Sequence, residues 1–160
     1  MSAPPVPFAI HRLGAVHLDE IDAIERRAYP TPWSRTMFSG ELTKATSHCL
    51  GAFDVDTGRL VGYVIASRYV DAWHVMNVCV DPDRQGHGIA GLLLERLFAI
   101  TDRDGRQGYT LEVRVSNERA IRLYERLGFV NRGIRRAYYT DNREDAIVMW
   151  RDEPDDSDAP

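Results

Sequence analysis

Three groups of residues in this chain could do chemistry. The first is a carboxylate, Glu112, in the run Leu111-Glu112-Val113-Arg114. Read as a strand, the run puts Leu111, Val113 and Val115 on one face and Glu112 and Arg114 on the other. A carboxylate on an interior strand is costly to bury unless it is paired or partly hydrated. Glu112 is therefore either the ion-pair partner of Arg114 or another arginine, or a general base acting through water. The second is Tyr124, which falls in line with Ala120, Ile121 and Leu127 on a helical period, a place that ordinarily packs a core. Its phenol, with an ordinary pKa of about 10, is protonated at neutral pH and can donate. The third is the loop Gln85-Gly86-His87-Gly88-Ile89-Ala90-Gly91, set between a β-rich run and a helical one. Strand, glycine loop and helix together collect unpaired backbone amides at a helix N-terminus, which suits a phosphate.

Two motifs compete for that loop. Gly86, Gly88 and Gly91 spell G-x-G-x-x-G, the dinucleotide fingerprint. That unit requires an acidic residue at the end of the next strand and a second βαβ half. Here the next strand ends in Arg114-Val115 and only one further helix follows, so nicotinamide-dinucleotide binding is the weaker reading. Read from Gln85, the string Gln85-x-x-Gly88-x-Ala90 matches a Q/R-x-x-G-x-G/A loop. Further motifs agree with it: Leu111-Glu112-Val113-Arg114-x-Ser116-Asn117, then Ala120-Ile121-x-Leu123-Tyr124-Glu125-x-Leu127-Gly128-Phe129. Upstream stands Pro32-Trp33-Ser34, and downstream Gly133-Ile134-Arg135-Arg136-x-Tyr138-Tyr139 and Glu144-Asp145-Ala146-Ile147-Val148-Met149. On these motifs, residues 8 to 150 resemble the GCN5-related N-acetyltransferases (GNAT). Within that family they resemble the RimI-type branch, the ribosomal-protein N-terminal alanine acetyltransferases.

The resemblance implies an α/β (α+β) fold. Its mixed central sheet of about six to seven strands carries helices on both faces and a splayed parallel strand pair. It implies acetyl-CoA as co-substrate, with the amides of Gly86, His87, Gly88, Ile89 and Ala90 on the pyrophosphate, Gln85 and Gly91 completing the loop, and Asn117 as a further contact. Edge amides of Val78, Cys79 and Val80 would hold the pantetheine and polarise the thioester carbonyl. Glu112 would be the base and Tyr124 the acid, while Pro32, Trp33 and Ser34 with Tyr138 and Tyr139 would wall the acceptor channel. The chain departs from the family in a slightly longer stretch before Pro32-Trp33-Ser34. Asn117 serves equally as a helix cap.

The implied reaction moves an acetyl group to the N-terminal α-amine of a protein, the alanine of a small-subunit ribosomal protein. It proceeds by direct attack without an acyl-enzyme. An α-ammonium has a pKa near 7.8 against about 10.4 for lysine, roughly 3.5 kcal/mol less to reach the neutral nucleophile, so a carboxylate base suits it better. A lysine or small-amine acceptor is the alternative on the same fold. A non-catalytic acyl-CoA-binding module is another.

Elements must position these groups. Phe8 to Leu13 alternates as a strand, and Val16 to Tyr29 carries Leu18, Ile21, Ile24 and Ala28 at helical spacing with Asp19, Glu20, Asp22 and Glu25 opposite. Pro30-Thr31-Pro32 ends that helix, and Ser34 caps a second through Met37, Phe38 and Leu42. Strands follow at His48 to Phe53 and Leu60 to Tyr69, turned at Asp56-Thr57-Gly58, and at Ala72 to Val80, where Asp81-Pro82 ends the run. Ile89, Leu92, Leu93, Leu97 and Ile100 make the buried face of the helix after the loop. Gly105 and Gly108 frame a turn into the strand Tyr109 to Val115, which should run parallel to Ala72 to Val80. Asn117 caps a helix over Glu118 to Leu127, Gly128 stops it, and Phe129 to Ala137 with Asp145 to Trp150 form a closing hairpin. On that hairpin adjacent Tyr138 and Tyr139 would face opposite ways.

With 160 residues, 44% apolar and 28% charged, the chain suits one globular domain over residues 8–151. Residues 1–7, with three prolines, read as a flexible leader, and residues 152–160 as an acidic disordered tail. A net charge of −4 argues against a nucleic-acid partner held by a broad basic face. No apolar run approaches the roughly 18 residues of a membrane helix, so a cytoplasmic monomer or weak dimer is expected. Two cysteines make no disulfide framework, and Cys79 between valines reads as a small buried hydrophobe. His74 and His87 have no ligand-like partners in sequence, so no metal is assigned.

Overall fold

The structure, a computed structural model, describes residues 7–102 and 108–153. The leader over 1–6, the turn glycine Gly105 and the tail from 154 onward lie outside the described residues. Seven strands hydrogen-bond in the order β1-β2-β3-β4-β5-β7-β6. The chain divides into two compact units, Met1–Ile65 with Asn77–Leu97, and Ala66–Met76 with Phe98–Pro160.

In the first unit β1 (Phe8–Arg12) pairs antiparallel with β2 (Ser47–Asp54), Phe8 opposite Asp54 and Arg12 opposite Leu50. A short 3-10 turn over Ala15–His17 leads into α1 (Leu18–Ala28), so the helix starts later than the periodicity indicates. Tyr29 is extended at φ −124° and ψ 136°, because the ring of Pro30 disfavours a helical residue before it. Ser34 then caps α2 (Arg35–Leu42), its Oγ accepting the Met37 amide at 3.2 Å. Ile21 and Ile24 of α1, Phe38 of α2, Cys49 of β2, and Tyr63 and Ile65 of β3 (Leu60–Tyr69) form the core with Cys79 of β4 (Ala72–Val80). One residue departs from the helical wheel. Glu25, expected on the solvated face of α1, is only 1% exposed, because the helix turns that position towards polar groups of its own unit.

After β4, Asp81 closes a 3-10 turn over Pro82–Arg84 and the glycine loop delivers the chain to α3 (Ile89–Thr101). Ile89, Leu93, Leu94 and Leu97 are fully buried, each contributing about 1.5–3 kcal/mol by leaving water. Leu92 and Ile100, expected on that face, are half-buried, and Leu94 takes a buried place instead. Gly62 of β3 permits a close approach here: a Cβ would stand 3.1 Å from the Cys79 carbonyl and 3.0 Å from the Ile89 side chain. Gly62→Ala should therefore lower the urea midpoint by the equivalent of about 1–3 kcal/mol. An unchanged midpoint would show that β4 yields there without cost.

In the second unit β4 and β5 (Gly108–Arg114) run parallel, as expected. Their register covers Ala72–Gly108, Trp73–Tyr109 and His74–Thr110, a ladder of three pairs. On its other side β5 pairs antiparallel with β7 (Ala146–Arg151), which also holds β6 (Val130–Arg135). Asn117 caps α4 (Glu118–Arg126) by accepting the Ala120 amide at 3.2 Å. Gly128, at φ 95°, ends it: its amide reaches Glu125 O and the Phe129 amide reaches Tyr124 O, a Schellman stop. In this core Phe98 meets Tyr109 edge to face and Phe129 at a tilt, and Phe129 in turn meets Tyr124 edge to face. Tyr138 and Tyr139 do not lie on a strand. β6 stops at Arg135, Ala137 turns at φ 51°, and both tyrosines sit in the connection to β7. No helix among the described residues is long and apolar enough to cross a membrane.

Candidate active site

Glu112 is the second-last side chain of its face on β5, directly opposite Val148 of β7. The three-pair ladder with β4 puts His74 beside Thr110, and Thr110 and Glu112 share a face. His74 Nε2 consequently reaches Glu112 Oε2 at 2.8 Å. Arg135 Nε stands 3.7 Å from the other oxygen. The hydrogen bond from His74 holds the Glu112 carboxyl below the usual carboxylate range; burial opposes it, and the charges of His74 and Arg135 reinforce it. The glutamate side chain is 14% exposed and the imidazole 35%, so the imidazole is the more accessible member of the pair.

Arg114, a possible partner for Glu112 in the sequence, turns elsewhere. It pairs with Asp141 at 3.0 Å and Glu144 at 3.4 Å, and its guanidinium sits 3.9 Å over the Tyr139 ring. It thereby pegs the connection that carries both tyrosines. Tyr138 and Tyr139 meet edge to face at 5.1 Å, rather than facing apart. Burial pushes the Tyr139 phenol up to about 12 against the pull of Arg114. Tyr124 is buried against Phe129, and burial first, then the neighbouring Tyr139, pushes its phenol up to about 12. Its hydroxyl has no hydrogen-bond partner among the described residues. Asn117 is placed as the cap of α4.

His74 is the neighbour of Glu112 that sequence reading misses. Its signal is a register, and only the pairing of β4 with β5 supplies one. Replacing it with alanine removes the largest influence lowering the Glu112 pKa and leaves burial unopposed by that bond. In carboxyl-labelled protein the carbon NMR titration midpoint of Glu112 should move up in His74→Ala; an unmoved or lower midpoint would contradict the contact.

In the first unit the loop is built from its caps inward. Arg27 clamps Asp81 through two bonds of 3.0 and 2.7 Å, and Asp81 accepts the Asp83 amide at 3.0 Å. His87 Nδ1 lies 3.0 Å from the Arg84 carbonyl. Gly86 at φ 87° and Gly88 at φ 76° are left-handed, a conformation that glycine adopts without strain. Gln85 to Gly88 are exposed, and a Cβ at Gly88 would meet nothing within 4 Å. The first backbone bond of α3 runs from the Leu92 amide to Gly88 O at 3.1 Å. The amides of Ile89, Ala90 and Gly91 thus precede the helical ladder. Open, left-handed and amide-rich, the loop fits a diphosphate.

Val78 and Val80 alternate with Cys79, half-exposed against buried, along β4. The Tyr29 hydroxyl donates to Val78 O at 2.5 Å. Burial pushes the Cys79 thiol up to about 12, which leaves it inert as a nucleophile. Trp33 of the Pro32-Trp33-Ser34 segment packs its ring on Phe38 at 5.1 Å. Among the described residues no cluster of three His, Cys, Asp or Glu side chains could hold a metal ion.

A family model described as Acetyltransferase (GNAT) family matches residues 18–129. The [ribosomal protein bS18]-alanine N-acetyltransferase of Escherichia coli K12 is 40% identical over 128 residues, 79% of this chain and 84% of its own length. N-alpha-acetyltransferase RimI of Mycobacterium tuberculosis is 34% identical over 164 residues, 98% of this chain and 100% of its own. The crystal structure of the ribosomal-protein-S18-alanine N-acetyltransferase from E. coli superposes with a TM-score of 0.83 at 36% identity, covering 90% of this chain and 92% of that one.

Proposed function

Since the chain belongs to the acetyltransferase (GNAT) family, we propose that it moves the acetyl group of acetyl-CoA to the N-terminal α-amine of a protein, the alanine of a small-subunit ribosomal protein. On this reading residues 8–151 serve as one catalytic domain in the cytoplasm. The observation that carries it is the Glu112–His74 contact, a pair able to take a proton that bridges two neighbouring interior strands of the sheet.

The chemistry divides among the chain's own groups. The amides of Gly86 to Gly91, with Gln85, bind the diphosphate of the substrate thioester, and Asn117 adds a contact. The amides of Val78, Cys79 and Val80 hold its arm and draw charge onto the thioester oxygen. Pro32, Trp33 and Ser34 with Tyr138 and Tyr139 receive the acceptor peptide. A lone carboxylate of pKa about 4.3 lies about 3.5 units below an α-ammonium, roughly 4.8 kcal/mol uphill for the proton. His74, whose Nε2 lies 2.8 Å from Glu112 Oε2, gives that proton a second seat within the pair.

The neutral amine then attacks the thioester carbon, the C–N bond forms and the C–S bond breaks, and the proton that the nitrogen sheds on becoming an amide replaces the hydrogen that Tyr124 passes to sulfur. Tyr124 is held protonated and donates its hydroxyl hydrogen to the departing sulfur. Full transfer from a phenol near 12 to a thiolate of pKa about 8.5 is uphill by about 3.5 units, so the hydroxyl acts first as a hydrogen-bond donor. The products are the amide, free thiol and one proton, which leaves through the Glu112–His74 pair. Attack is direct, since the buried Cys79 thiol offers no acyl carrier.

A panel of peptides with free and blocked N-termini, incubated with enzyme and acetyl-CoA and read by mass spectrometry, tests the reading. The added acetyl group should map to the α-nitrogen of the alanine-starting members. Modification found only on lysine would overturn it.

A further inference from the structure

α1 carries a carboxylate that the acetyl-transfer chemistry leaves unused. Glu25 is 1% exposed and accepts three hydrogen bonds. Oε1 takes the Tyr63 hydroxyl at 2.6 Å and Asn77 Nδ2 at 3.1 Å; Oε2 takes the backbone amide of Trp33 at 2.9 Å. The donors come from β3, from β4 and from the stretch joining α1 to α2.

Burying a carboxylate is costly even when its lone pairs are met, and well-packed apolar side chains often replace such a group without loss of stability. Stability alone therefore does not account for Glu25. Tyr63 and Asn77 could both be exchanged for apolar residues along with it. The Trp33 amide could not, because every non-proline residue carries one. It lies outside helix and strand, immediately after Pro32, and needs an acceptor from elsewhere. Glu25 supplies it across a separation of eight residues. The neighbouring groups complete the fastening: the Trp33 ring rests on Phe38 at 5.1 Å, and Ser34 Oγ caps α2.

We propose that Glu25 is the positioning residue of the acceptor side: by holding the Trp33 amide it fixes the Pro32-Trp33-Ser34 backbone against which the incoming peptide N-terminus is placed. The proposal rests on the reading of that segment as part of the acceptor channel. Freed from Glu25, the segment shifts, and misplacement by about 1 Å is enough to cost a reaction heavily.

The test is the steady-state KM for an alanine-starting peptide against the KM for acetyl-CoA in two variants. Glu25→Leu should raise the peptide KM by about tenfold or more and leave the acetyl-CoA KM within about twofold. Glu25→Gln should stay within about threefold on both. Its carbonyl oxygen still accepts the Trp33 amide, while its NH2 faces a Tyr63 hydroxyl that can accept and an Asn77 amide that can flip. If Glu25→Leu does not fold, the triple variant Glu25→Leu, Tyr63→Phe, Asn77→Leu removes the stranded polar groups and should show the same split. A peptide KM that stays put in a folded variant lacking Glu25, a parallel rise of both KM values, or a glutamine variant as impaired as leucine would overturn the proposal. A wild-type enzyme that leaves α-amines untouched would instead remove the acceptor reading itself.

Discussion

Glu112→Gln should lower kcat by about 10²- to 10⁴-fold while both KM values stay near the wild type. Glutamine fills the same volume on β5 and keeps an oxygen and an NH2 for its neighbours, but it accepts no proton. His74 loses its carboxylate and Arg135 its counter-charge, so the pair is dismantled. Retention of more than about a tenth of kcat would contradict the base assignment. The same variant carries a stability signature. Because folding lowers the Glu112 pKa, the wild-type carboxylate adds stability above its unfolded value, about 4.3, and loses it as pH falls through the lower folded value. Glu112→Gln should therefore lose less stability than the wild type across that acid range, as read by urea midpoints at stepped pH.

Gly88→Val should raise the KM for acetyl-CoA by about 10- to 100-fold and leave the peptide KM unchanged. Gly88 stands at φ 76°, where a β-branched residue is strained by about 1–2 kcal/mol. The space around it is open, so the valine meets no protein atom within 4 Å at its Cβ. Its two methyl groups instead add bulk to the open space at the loop, and the backbone should relax away from the left-handed form. Gly88→Ala carries most of the backbone cost with less bulk, so the difference between the two variants separates conformation from obstruction. Calorimetric titration with CoA reads both. An unchanged CoA affinity in Gly88→Val would remove the loop from the diphosphate.

What the sequence could and could not disclose follows from the range of the interactions involved. Strand β4 over Ala72–Val80 is legible because proline at 82 and its apolar run are local signals, and the Asn117 cap and Gly128 stop are legible for the same reason. Glu112 is recognisable as a candidate because a carboxylate on an apolar strand is costly. His74 is not, because its approach to Glu112 depends on which residues of β4 and β5 lie side by side. Glu25 deceives the helical wheel in another way. Periodicity sorts positions by polarity, whereas Tyr63, Asn77 and the Trp33 amide make a buried position polar. The tyrosine pair misleads through its backbone: Arg114 holds Asp141 and Glu144, and Ala137 turns left-handed, so the hairpin strand stops before Tyr138. Long-range pairing, in each of these cases, outweighs local pattern.

The decisive measurement is a crystal structure of the enzyme with a conjugate in which the α-nitrogen of an alanine-starting peptide is linked through an acetyl bridge to the sulfur of CoA. The diphosphate should lie within hydrogen-bond distance of the Gly88, Ile89 and Ala90 amides, and the α-nitrogen should lie within reach, directly or through one water, of the Glu112–His74 pair. A diphosphate seated away from Gly88, or an α-nitrogen facing neither Glu112 nor His74, would contradict the account.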